Sequence, residues 1–106
     1  MPSVAIDNAA ASGDTVVLPA VAGQKVRVRG YVIDAAGPVA VTWKGGANAL
    51  TGAAPLVAGV PLVVPMGGSS ADPSFWFETN PGEALILNAS AAVQVSGHVA
   101  YDRTSA

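Results

Sequence analysis

Two glutamates, Glu78 and Glu83, lie in the stretch Ser-Phe-Trp-Phe-Glu-Thr-Asn-Pro-Gly-Glu-Ala-Leu-Ile-Leu, residues 74–87. Two carboxylates facing each other across a gap are the arrangement that hydrolyses a glycosidic bond, one as acid and the other as base or nucleophile. Asn80-Pro81-Gly82 is strong turn chemistry, because proline presets φ and glycine accepts a positive φ. It predicts a hairpin with Glu78 and Glu83 close together at its mouth. Such pairs normally work in a cleft on a larger scaffold. Here they flank a tight turn in a small, alanine-rich domain, so the preferred reading is a pair of solvated or interface-facing glutamates and a protein that is not an enzyme.

The remaining inventory for chemistry is thin. His98 is the one histidine, and its alternation with Val99 turns it away from the core. The absence of cysteine excludes disulfides, thiolate catalysis and thiolate-bound zinc. Asp7, Asp14, Asp34 and Asp72 fall near predicted turns, where aspartate bonds the local backbone. No loop of alternating carboxylates suits calcium. Gly45-Gly46 and Gly67-Gly68 match neither a phosphate loop nor a dinucleotide fingerprint. No cofactor and no metal is therefore expected. Lys25, Arg27 and Arg29 alternate into a small cationic stripe, with only Lys44 and Arg103 beyond it and a net charge of −2. Nucleic-acid binding needs a broader basic field, so the stripe reads as a solvated strand face or the partner of an acidic rim across an interface.

The aromatics carry more information. In a strand, Phe75 and Phe77 point to one face and Trp76 to the other. One face fills a core, and the opposite face then presents a large ring outside it. Glycan stacking and protein contacts both use such a ring, and the shortage of charge, 11% of residues, favours a protein contact.

The elements that hold these residues read as strands. Twelve glycines and eight prolines punctuate the chain at short intervals, and the segments between them alternate with period two. In Gln-Lys-Val-Arg-Val-Arg-Gly-Tyr-Val-Ile-Asp, Val26, Val28 and Val32 alternate with Lys25, Arg27, Arg29 and Tyr31, and Gly30 marks a bulge or bend. Val39, Val41 and Trp43 define one face of a second strand. Pro61 and Pro65 bracket a short edge strand. Val93, Val95, Val99 and Tyr101 share a face opposite Gln94, Ser96 and His98. The rival is a helix over residues 83–96, the longest stretch without Gly or Pro, but Asn88, Ser90 and the continuing alternation favour strand-turn-strand. The whole predicts one all-β domain over residues 1–106: an antiparallel β-sandwich, jelly-roll-like, of seven to eight short strands, with residues 1–12 as an N-terminal arm.

Gly45 to Ala71 contains no charge, but Pro55, Pro61 and Pro65 break it, and no uninterrupted run of about 20 apolar residues exists to span a membrane. The N-terminus lacks the basic start and apolar core of a signal peptide. Five basic and seven acidic residues are too few to cover a folded surface of roughly 5,400 Å². Self-association is expected in consequence, as a trimer ahead of a dimer, with Phe75, Trp76, Phe77 and Glu78 at or near the contact. Glu78 and Glu83 are expected at its rim, facing Arg27 or Arg29 of the next subunit or of another protein.

Leu62 to Asp102 resembles small virion proteins of tailed bacteriophages. The features that carry the likeness are an apolar strand ending in proline, a loop, Trp-Phe-Glu-Thr, Pro-Gly-Glu-Ala-Leu, Ser-Ala-Ala-Val-Gln-Val-Ser-Gly and a terminal tyrosine. The resemblance implies a capsid decoration, or cement, protein on the outer surface of the virion. Such a protein would bind the major capsid protein between capsomers and itself as a homo-oligomer, leaving nucleic acid and membrane untouched. The alternative is a tail-fibre or receptor-binding tip that holds a cell-surface glycan. A carbohydrate-binding module would need a row of exposed rings, and Tyr31, Trp43, Trp76 and Tyr101 are a thin supply.

Overall fold

The computed structural model describes residues 3–65 and 76–105. Phe75 and Asp72 lie outside the described residues. Among them are ten strands and no helix, where seven to eight strands were expected. The strands are β1 (Ser3–Asp7), β2 (Gly13–Leu18), β3 (Gln24–Ala35), β4 (Val39–Gly45), β5 (Asn48–Ala49), β6 (Ala54–Leu56), β7 (Leu62–Val64), β8 (Phe77–Glu78), β9 (Leu85–Ala89) and β10 (Val95–Ser105). The count rises because two edges are each made of two short pieces instead of one strand.

The strands form two antiparallel sheets packed face to face. The first runs β1-β10-β3-β7, with β8 also on β3; the second runs β2-β9-β4-β5, with β6 also on β4. Pairing is nested: β1 with β10, β2 with β9, β3 with β7 and β8, and β4 with β5 and β6. Residues 83–96, the rival helix, supply β9, a turn and the start of β10.

The expected alternation builds the core. Val39, Val41 and Trp43 are buried along β4, Leu85 and Leu87 along β9, and Val95 and Val99 along β10. These β-branched and aromatic residues suit a pleated surface buried on one face. In β3 the parity changes midway. Gly30 faces Ala100 and Val28 faces Tyr101, so Arg29 is one residue too many for β10. A bulge of this kind turns every later side chain to the opposite face. Val26 and Val28 therefore point inward as expected, but beyond the bulge it is Ile33 and Ala35 that are buried, with Tyr31 packed against them. Val32, expected inside, pairs with exposed Val63 on the outer face.

Asn80-Pro81-Gly82 makes the predicted turn, with Gly82 at φ 78° and Glu83 N donating to Asn80 O at 3.2 Å, consistent with a type II turn. It does not close a hairpin. Residues 76–82 run along β3, with Trp76 N bonded to Val28 O, Thr79 N to Val26 O and Gly82 N to Gln24 O. The chain then crosses to the second sheet as β9. The turn residues set a local reversal, while the pairing on each side is set by which core the strands bury.

Residues 3–7, expected within an arm, are the edge strand β1. Asn8 anchors them: it is buried, its Oδ1 accepts from Val95 N (2.8 Å) and Ala10 N (3.1 Å), and its Nδ2 donates to Val93 O (2.9 Å) and Ala11 O (3.3 Å). A buried amide with its bonds satisfied fixes the strand end at low cost.

Candidate interaction surface

The outer face of the first sheet carries most of the residues singled out from sequence. Lys25, Arg27 and Arg29 of β3 lie on it with Asp102 of β10 and Glu78 of β8. The expected stripe of cations is present, and its counter-ions come from the same chain. Glu78 takes Lys25 Nζ on one oxygen (3.2 Å) and Arg27 Nε on the other (2.9 Å), because β8 pairs with β3 in the register Arg27↔Glu78. This corrects the expectation that Glu78 waits for a neighbour's arginine. Arg29 is buried and donates to Asp102 at 2.7 Å. Burial pushes the Glu78 carboxyl up, and the bonds from Arg27 and Lys25 more than offset this, so it lies below its ordinary value of 4.5.

Glu83 is elsewhere. Its Oε1 accepts from Asn80 N at 3.0 Å and its Oε2 from Asn48 Nδ2 at 3.1 Å. It lies over Gly45 and Gly46, where a Cβ on Gly45 would come within 3.0 Å of the carboxylate. The two glycines that match no phosphate loop make room for this side chain. Glu78 and Glu83 thus serve different sheets, each carboxylate bonded by its own surroundings: Glu78 by Lys25 and Arg27 of β3, Glu83 by Asn48 of β5 and the Asn80 N–H.

The aromatic run splits as the strand period demands. Phe77 turns inward and joins Tyr31 and Trp43 in a cluster that ties the two sheets, with centroids 6.4 Å from Tyr31, 6.0 Å from Trp43, and 5.3 Å between Tyr31 and Trp43. Offset and edge contacts of this kind add to the area they bury. Burial pushes the Tyr31 hydroxyl above its ordinary value of 10.0. Trp76 turns outward and is 54% exposed. It is held in place by Nε1, which donates to Pro65 O at 2.9 Å.

Trp76 borders one of two adjoining hollows. A cleft of about 360 Å³ at the open side of the sandwich is lined by Tyr31, Phe77, Trp76, Val64, Leu50 and Thr51. A smaller hollow of about 270 Å³ on the outer face is lined by Gly30, Val32, Val63, Pro65, His98 and Ala100. Val63, 61% exposed, borders both. The outer face is therefore divided: one half carries three cations set against the carboxylates of Glu78 and Asp102, the other is apolar, with His98 exposed as expected. No metal-binding group of three or more His, Asp or Glu occurs among the described residues.

Asn8 and Thr79 escaped the sequence reading. Thr79 is buried, and its Oγ1 accepts from Val26 N at 2.9 Å. Both are polar residues in turn-rich contexts, and their partners are supplied by strands far away in the chain. No family model, curated protein or solved structure matches the chain.

Proposed function

We propose that this protein is a capsid decoration protein of a tailed bacteriophage, seated on the outer surface of the head between capsomers, self-associated, and without enzymatic activity. The observation that carries the proposal is Trp76: a large ring, half exposed, pinned by its own N–H, and bordered by an apolar hollow. An exposed tryptophan beside an apolar cleft is the kind of anchor that protein interfaces favour. Trp76 and its neighbours Val63, Val64 and Pro65 belong to the stretch, Leu62 to Asp102, that resembles phage virion proteins. The cations of the adjoining half are each ion-paired within the chain, Lys25 and Arg27 with Glu78 and Arg29 with Asp102, which lowers the cost of covering them.

The nested strand pairing supports reading the sandwich as a jelly roll, with β5 and β6 counted as one edge and β7 and β8 as the other. Jelly rolls recur in viral capsids and in lectins. That likeness is shared by both functional readings, so the proposal rests on the site and not on the fold.

Cryo-EM of the source virion tests the proposal. Density fitting this sandwich on the outer shell, with Trp76 toward the major capsid protein, is the expected result. The same density at a tail tip would transfer the assignment to the glycan-binding alternative. A virion without it would end both.

A further inference from the structure

A sandwich has four open edges, and three of them here are guarded. The β7–β8 edge is made of short pieces, and Pro61 and Pro65 bracket β7. The β5–β6 edge is equally broken and carries Pro55. β2 has one residue more than β9 between Val16 and Leu18, ends at Pro19, and bears Asp14. Short strands, prolines, bulges and charges are the devices by which proteins keep edges from pairing with other chains. β1 is the least guarded: within its five residues it has no proline and no bulge, its register with β10 is unbroken from Ser3 to Asp7, and its one charge is at the end.

The direction of its free backbone groups follows from two bonds. Asn8 N donates to Val95 O, and Ala36 N donates to Gln94 O. In an antiparallel ladder, bonded and non-bonded pairs alternate. Residues 95, 97 and 99 of β10 therefore face β1, and Val4, Ile6 and Asn8 face β10. The N–H and C=O groups of Ser3, Ala5 and Asp7 point away from the sheet. Their side chains are exposed on its outer face, while Ile6 is buried and Val4 packs against the core.

We infer that β1 pairs antiparallel with β1 of a second copy about a two-fold axis through Ala5, joining the two β10-bearing sheets into one continuous sheet. The strand is complementary to itself in this register. Ala5 meets its counterpart with a side chain too small to obstruct, Ser3 stands opposite Asp7, and Val4 stands opposite Ile6 on the core side. No like charges face each other, as a stable cross-strand pair requires. Such a contact is isologous and closes on two copies, a dimer in place of the trimer expected from surface area. It deepens the self-association in the proposed function but is independent of any capsid.

Light scattering on the purified full chain at micromolar concentration is the first measurement. The expected mass is twice 10.4 kDa; a monomer overturns the inference. Ala5→Pro removes the central N–H, which the fold itself does not use, and Ala5→Lys places two ammonium groups opposite each other. Each is expected to give the monomer mass, and the lysine variant covers the case in which proline disturbs the strand. The chain has no cysteine, so Ala5→Cys reports geometry cleanly: a short bis-maleimide, which adds one thiol at each end, is expected to trap a covalent dimer. Dimers that survive both Ala5→Pro and Ala5→Lys, or that dissociate on Trp76→Ala and not on the Ala5 changes, refute the edge contact. The second of those results would move self-association to the apolar outer face and leave the capsid reading intact.

Discussion

Arg29 and Asp102 meet at 2.7 Å across β3 and β10, with the arginine side chain 5% exposed. The arginine is the extra residue of the β3 bulge, so the ion pair sits where the strand changes parity. Truncating Asp102 removes a charge-assisted bond to the buried guanidinium, a loss of about 1.5–3 kcal/mol. Asp102→Ala is expected to lose about that much in urea denaturation. An unchanged midpoint would show that water reaches Arg29.

Gly97 should tolerate no side chain. Its φ is 147°, and a Cβ there would run into the carbonyl oxygen of Val32 in the neighbouring strand. Backbone, unlike a flexible side chain, cannot yield. Gly97→Ala is expected to cost more than about 3 kcal/mol, read as a large fall in melting temperature or as insoluble expression. A variant melting within a few degrees of the parent would contradict the close approach of β3 and β10.

Trp76 and Phe77, adjacent in sequence, should respond oppositely to truncation. Phe77→Ala opens the aromatic cluster and is expected to cost about 3 kcal/mol. Trp76→Ala gives up an exposed ring and one bond, less than about 1 kcal/mol, but should abolish retention on capsids in a co-sedimentation assay. Equal stability losses would mean that both rings serve the core.

Stability should fall in acid. Glu78, raised by burial but lowered further by Arg27 and Lys25, ends below its ordinary 4.5. Asp14, bonded by Asn88 and Lys44, and Asp7, bonded by Gln94 and the Ala9 N–H, lie below 3.8. A carboxyl lowered by folding stabilises the native state above its unfolded value, and that contribution is lost as pH drops through the folded value. Melting temperature is therefore expected to hold from pH 7 to pH 5 and to decline below about 4.5, with a shallower decline in Glu78→Gln. Identical melting at pH 3 and pH 7 would rule this out.

Much of the sandwich was legible because its strands obey a local rule. Alternation alone places Val26, Val39, Trp43, Val95 and Val99 inside. The rule breaks at Arg29, where a bulge depends on the opposing strand and so leaves no reliable trace in one segment. Gly30 hinted at it without giving the parity of Val32. The turn at Asn80-Pro81-Gly82 was equally plain, but a turn states only that the chain reverses. Whether the next strand joins the same sheet is a matter of which surface remains to be covered. The pairing of Glu78 with Lys25 and Arg27 follows from that choice, and for that reason the carboxylate was assigned to a rim instead of its own strand neighbours. Asn8 and Thr79 satisfy backbone groups of strands remote in sequence, a relationship invisible until those strands are in place.

The nested pairing also dictates when a chain leaving the ribosome can fold. β1 waits for β10, and β2 for β9, so the earliest segments made are held without their partners until the last described strand has emerged. Contacts between such distant segments form slowly, because each long loop must close before anything rewards it. Through that interval β1, apolar at its centre and unguarded, is exposed beside other nascent chains on the same polysome. The edge that would join two finished copies is then also the first place where two unfinished ones can mispair.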